Sequence, residues 1–171
     1  MKSRSSQTKP LYRSSRRWGS RHCDLSRWRR NPAGALERAA LFLKSAKKDL
    51  TRLAKEPERR DRHLGSAAGL VCVASIFACQ AIFLARGGKR VLGEIDVEQA
   101  AKLARTKAER EVVKLTRSTL RRLHFDSAWG EEKHAPWLVR QIVQRTERAV
   151  DALQGRPPRV PVWKALPAST R

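Results

Sequence analysis

The stretch LGSAAGLVCVASIFACQAIFLA, residues 64–85, decides how this chain is read. It carries no charge, and Gln80 is its only strongly polar side chain. A run of about 20 such residues is long enough to cross a bilayer, and Gly65 and Gly69 make a small-xxx-small pair. Its Ala, Gly, Ser and Cys content equally suits a helix enclosed by protein. Arg59, Arg60 and Arg62 precede it and Arg86, Lys89 and Arg90 follow it, so flanking charge sets no orientation across a membrane. The other helical segments are amphipathic and need an apolar partner, which a helix hydrophobic all round supplies. The expectation is a central core helix, with a single-pass membrane span at Leu64–Ala85 as the rival.

Working outward, Asn31-Pro32 looks like an N-cap with proline in the first turn. From Pro32 to about Lys55, Leu36, Ala39, Ala40, Leu43, Ala46, Leu50, Leu53 and Ala54 recur at helical spacing, with lysines on the other side. Pro57 interrupts the period, and the second helix is expected from Glu58 through Ala85, stopped by Gly87-Gly88. Asp96 and Gln99 have capping-box spacing, which opens a third helix running to about His124. Gly130 and Glu131-Glu132-Lys133 break the pattern. Pro136 restarts it in a fourth helix carrying Trp137, Leu138, Ile142, Val143, Ala149, Val150 and Leu153, closed by Gly155 and Pro157-Pro158. No strand pattern and no internal repeat emerges. These elements predict an all-α antiparallel four-helix bundle over residues 32–155 with disordered basic termini, a basic arm at 1–31 and a Pro-rich basic tail at 156–171.

Charge narrows the function. Lys and Arg number 38 against 16 Asp and Glu, a formal net charge of +22 on 171 residues. A folded chain with that excess repels itself, and a polyanion relieves the repulsion. Nucleic acid is the first such partner and anionic lipid the second. In the third helix Lys107, Arg110, Lys114, Arg117 and Arg121 lie three or four residues apart, which draws one cationic stripe along a helix, with Arg122 near its end. The opposite face holds Ala101, Ala104, Ala108, Val112, Leu115 and Leu123, while Glu109 and Glu111 flank the stripe and soften it. In the arm, Trp18 and Trp28 interleave with Arg16, Arg17, Arg21, Arg29 and Arg30, residue types that stack on unpaired bases and grip phosphates. Nothing in these segments reads base edges, so sequence-specific recognition is not expected.

No metal or catalytic constellation stands out. Cys72 and Cys79 are two helical turns apart, too far to bridge within a helix, and Cys23 sits alone in the arm. Reduced thiols and a cytoplasmic location follow. His22-Cys23 has no second pair to complete a zinc tetrahedron, and Gly87-Gly88-Lys89 lacks the rest of a phosphate loop. No Ser or Cys has an evident base and orienting partner. The expectation is a non-enzymatic protein without cofactor. The first residues lack the apolar run of a secretory signal, although the arm's composition overlaps that of an organellar transit peptide.

Asp61-Arg62-His63-Leu64 with Ala67 after it, then Leu123-His124-Phe125, Trp129 in a turn and a final amphipathic helix, resemble a bacterial family of HEPN-like four-helix domains over about residues 32–154. The resemblance implies a helical bundle tied to RNA and to defence or toxin systems, some of whose members are ribonucleases. Active members carry Arg, four residues, then His near the start of a late helix. Here that spacing occurs only at Arg17 and His22, in the arm, whereas Thr119 and Trp129 stand at that distance before His124 and His134. The resemblance therefore supports a fold and argues against nuclease activity. By analogy of architecture and charge alone, basic helical bundles of this size also serve as small subunits of ribonucleoprotein complexes such as CRISPR effectors, with other protein subunits as partners.

Overall fold

Asn31 opens the first helix as its sequence suggests. Its side-chain oxygen accepts from the Ala33 backbone N–H at 3.0 Å, and Pro32 takes a first-turn position where a missing N–H has no consequence. The computed structural model describes residues 31–88, 97–125 and 134–156. Within them run α1 (Pro32–Arg52), a 3₁₀ turn (Pro57–Arg59), α2 (Arg60–Ala85), α3 (Val97–Leu103), α4 (Lys107–Thr119) continuing into a π-helical turn (Leu120–Phe125), and α5 (Pro136–Leu153). The protein is all-α, with no strand among the described residues. Two residues beyond the ends of α2 and α5 stand Gly87 and Gly155, whose φ values of 80° and 65° favour glycine. The basic arm, the tail beyond Arg156, and the expected cap at Asp96 lie outside the described residues.

The core forms around α2, which touches α1, α3, α4 and α5, while α5 also packs on α1 and on α4. Ala67, Val71, Ala74, Ala78, Cys79, Ala81 and Ile82 of α2 are all essentially inaccessible to solvent. They point in more directions than one helical stripe allows, and their small size lets neighbouring helices approach closely. Leu36, Ala39, Leu43, Ala46 and Leu50 of α1 meet this surface, and Phe42 stacks on Phe77 with ring centroids 5.6 Å apart. By length and composition the Pro57–Ala85 segment could cross a membrane; here protein covers much of it. Gly65 and Gly69 face outward, with open space where their Cβ atoms would stand.

Three sequence expectations need correction. The third helix is interrupted: α3 ends at Leu103, and α4 starts afresh at Lys107 behind an extended Thr106. A helix start inside an alanine-rich period is hidden from pattern reading, although Thr106 and Glu109 are themselves a capping box. Trp137, expected with the apolar face of the last helix, is 66% exposed. The inward face of α5 consists of Val139, Ile142, Val143, Thr146, Val150 and Leu153, and Trp137 is out of phase with it. Ala54, counted with the apolar face of α1, is exposed beyond that helix's end.

Candidate nucleic-acid interface

What fixes the outward face of α4 is a buried acid. The Glu109 carboxylate is fully buried. It accepts the backbone N–H groups of Arg105 at 2.7 Å and Thr106 at 2.9 Å, and Thr106 Oγ1 accepts in turn from the Glu109 N–H at 3.2 Å. Arg86, at the C-terminal end of α2, donates to the same carboxylate from Nε at 3.0 Å and from Nη2 at 2.9 Å. A buried carboxylate is tolerated because it is both paired and fully hydrogen-bonded. Its placement sets the phase of the helix. With Glu109 inward, Val112, Val113, Thr116 and Thr119 follow it into the core. Thr116 holds the phase further along, its Oγ1 accepting from the Cys79 thiol at 3.2 Å and bonding the Val112 carbonyl at 2.8 Å.

The cations are thereby turned outward. Lys107, Arg110, Lys114, Arg117, Arg121 and Arg122 are all exposed, as the spacing predicts. From Lys107 to Arg121 the line is about 20 Å long at roughly 1.5 Å per residue. Lys107, Lys114, Arg121 and Arg122 have no acidic partner among the described residues. Arg110 donates to the Arg105 carbonyl at 2.7 Å. Arg117 forms a two-pronged ion pair with Glu98 of α3. Glu98, which the sequence reading did not place, therefore tempers the stripe, whereas Glu109, expected to soften it, is withdrawn into the core. Glu111 is exposed, as expected of a flanking residue.

Other acids pair with neighbouring side chains nearer the surface. Glu147 of α5 accepts from the Lys47 ammonium at 2.9 and 3.2 Å, and Asp151 is buried. Asp49 accepts from the Ser66 hydroxyl at 2.6 Å and pairs with Arg52. Glu56 meets His63 Nε2 at 3.1 Å; this hydrogen bond holds the Glu56 carboxyl below its ordinary value, against partial desolvation. Each of these pairs ties up one cation for one acid, and Glu58, Asp61, Glu98 and Glu111 remain exposed among the surface cations. Lys44, Lys48, Lys55, Arg59, Arg60 and Arg62 are exposed as well, interspersed near the start of α2 with the exposed acids Glu58 and Asp61 and with Arg59 paired to Glu56. The sequence reading placed these lysines on the outer side of the first helix and the arginines before the apolar run, but assigned neither group to the nucleic-acid interface.

Among the described residues no group of three or more His, Cys, Asp and Glu is placed to hold a metal ion. Cys72 and Cys79 are free and buried, and burial pushes both thiols up to about 11. At neutral pH they are protonated and poor nucleophiles. The expected arm residues Arg16, Arg17, Trp18, Arg21, Trp28, Arg29 and Arg30 lie outside the described residues.

Comparison of the chain with protein-family models, with curated proteins and with solved structures gave no match. The HEPN-like resemblance thus rests on the residues quoted above. One of them, His63, is buried against Glu56 at the start of α2, a structural position.

Proposed function

We propose that this protein binds nucleic acid through its phosphate backbone, without catalysis and without sequence specificity, as a small basic subunit of a cytoplasmic nucleoprotein assembly. The matching architecture is an antiparallel four-helix bundle in which α3 and α4 together count as one broken helix. The observation that carries the proposal is the separation of charges in the fold. Glu109, Asp151 and Glu147 are buried or paired inside, while Lys107, Lys114, Arg121 and Arg122 stand in solvent without an acidic partner among the described residues. Aligned like charges cost a helix a few tenths of a kcal/mol per neighbouring pair. Phosphates reverse that sign by releasing condensed counterions. The arm residues Arg16, Arg17, Trp18, Arg21, Trp28, Arg29 and Arg30 add reach and stacking within the same proposal.

The test is binding of a labelled oligonucleotide over a salt series. Lys107→Glu, Lys114→Glu and Arg121→Glu, combined, remove three exposed cations that hold no ion pair among the described residues. Affinity falls across all sequences, and the slope of log K against log salt flattens by about 2 units on a single strand, from roughly 0.7 per phosphate contact. Unchanged affinity and slope would remove α4 from the interface. The length and apolarity of Pro57–Ala85 support one competing reading, a membrane-spanning protein whose cations meet anionic lipid. Recovery of folded protein only in detergent would favour it.

A further inference from the structure

We infer that Trp137 and the exposed face of α5 behind it form a stacking site for an unpaired nucleobase, which makes single-stranded nucleic acid the preferred ligand. The inference rests on the nucleic-acid reading above and adds the class of strand.

Trp137 is 66% exposed, and Leu41 is the only other large apolar side chain so exposed among the described residues. The fold does not need this indole, because the core side of α5 is complete without it. Gln141, Arg145 and Arg148 follow at helical spacing and are exposed too. The face runs about 16 Å from Trp137 to Arg148 at roughly 1.5 Å per residue. It carries no acid, since both acids of α5 point elsewhere: Glu147 holds Lys47 of α1, and Asp151 is buried. Arg140, one turn beyond Trp137, is half-buried with its Nε lacking a hydrogen-bond partner, which places a cation at the Trp137 end of the helix.

An exposed indole followed by guanidinium groups on an acid-free face has the chemistry of a base platform with phosphate contacts. Duplex bases already stack on each other, so only an unpaired base can use it. A lipid anchor calls for a contiguous apolar face on the helix, and a protein hot spot for a sheltering rim of packed neighbours. Gln141, Arg145 and Arg148 supply neither.

The test measures anisotropy of a labelled 20-mer, single-stranded and as duplex, and co-sedimentation with anionic phospholipid vesicles, with the full chain, Trp137→Ala, Trp137→Phe and the triple α4 variant. Loss of one base stack, about 1.4 kcal/mol, is tenfold in affinity. Trp137→Ala is therefore expected to lower the preference for single strand over duplex roughly tenfold, with Trp137→Phe retaining most of it. An unchanged preference in Trp137→Ala, with folding verified by circular dichroism, overturns the inference. So does equal loss on both ligands, or loss of binding to anionic vesicles with oligonucleotide binding intact. Loss of binding in the triple variant together with an unchanged strand preference in Trp137→Ala would refute the stacking site and leave the phosphate reading standing. The converse pattern, with strand preference altered and the triple variant binding normally, would refute the α4 interface and keep the stacking site.

Discussion

Helices α2 and α4 sit against each other and solve opposite problems. The apolar run of α2 has no charge and buries side chains on several faces. On α4, the highly charged segment between Lys107 and Thr119 keeps one narrow strip inward. In α2 the information lies in composition, and almost any face can meet a neighbour because Ala67, Ala74, Ala78 and Ala81 are small. In α4 it lies in phase, and phase is enforced by Glu109, a residue that composition would assign to the surface. The contact between the two helices is where both solutions meet: Arg86 from the end of α2 holds Glu109, and Cys79 in α2 donates to Thr116 in α4.

The largest effect is expected from breaking that shared clasp. Glu109→Ala leaves the largely buried Arg86 guanidinium without its carboxylate, and loss of one partner of a buried pair costs about 3–5 kcal/mol. Chemical denaturation checks this, with a lower midpoint at unchanged slope as the expected outcome. An effect under about 1 kcal/mol would mean that the pair does not set the phase of α4. Next comes the packing of α2. Ala74→Leu adds volume at a fully buried position, and overpacking costs about 1–3 kcal/mol; a neutral result would show a face of α2 with room to spare. Thr106→Ala removes the cap alone and is expected to cost about 1 kcal/mol, leaving Glu109 to hold Arg86. Smallest in stability are Lys107→Glu and Lys114→Glu, each expected within about 0.5 kcal/mol, although the proposed interface predicts a larger effect on oligonucleotide binding than on folding.

The buried thiols sharpen the same contrast through pH. Their folded-state values lie above those of exposed thiols, so the fold favours the protonated form. That contribution is fully present at neutral pH and declines as pH rises from about 8.5 toward about 11. Denaturation midpoints across this range are expected to fall less in a Cys79→Ser variant that still folds than in the parent chain.

The start of α1 and both ends of α2 and α5 were legible in sequence because their punctuation is local: Asn31-Pro32, Pro57, Gly87, Pro136 and Gly155 act within a turn of where they stand, whereas α1 stops at Arg52, ahead of the expected Lys55. The outward face of α4 was legible because five cations keep helical period. The break before α4 was not, because Ala100, Ala101, Ala104 and Ala108 carry an apolar period straight through it. Glu109 was misplaced since an isolated acid is normally solvated, and only the arrival of Arg86, distant in sequence, makes its burial tolerable. Trp137 was misplaced because its neighbour Leu138 does pack against the core, and adjacency masked a one-residue difference in phase.

The central claim is that the cations turned outward on α4, without an acidic partner among the described residues, meet a polyanion. Its most direct test is size-exclusion chromatography of the full-length protein purified without detergent, with absorbance read at 260 and 280 nm before and after nuclease and a high-salt wash. The expected result is a folded, detergent-free peak that carries excess 260 nm absorbance, loses it to salt or nuclease, and regains it on adding oligonucleotide. A detergent-free peak that neither carries nor takes up nucleic acid, or protein confined to the membrane pellet, would contradict it.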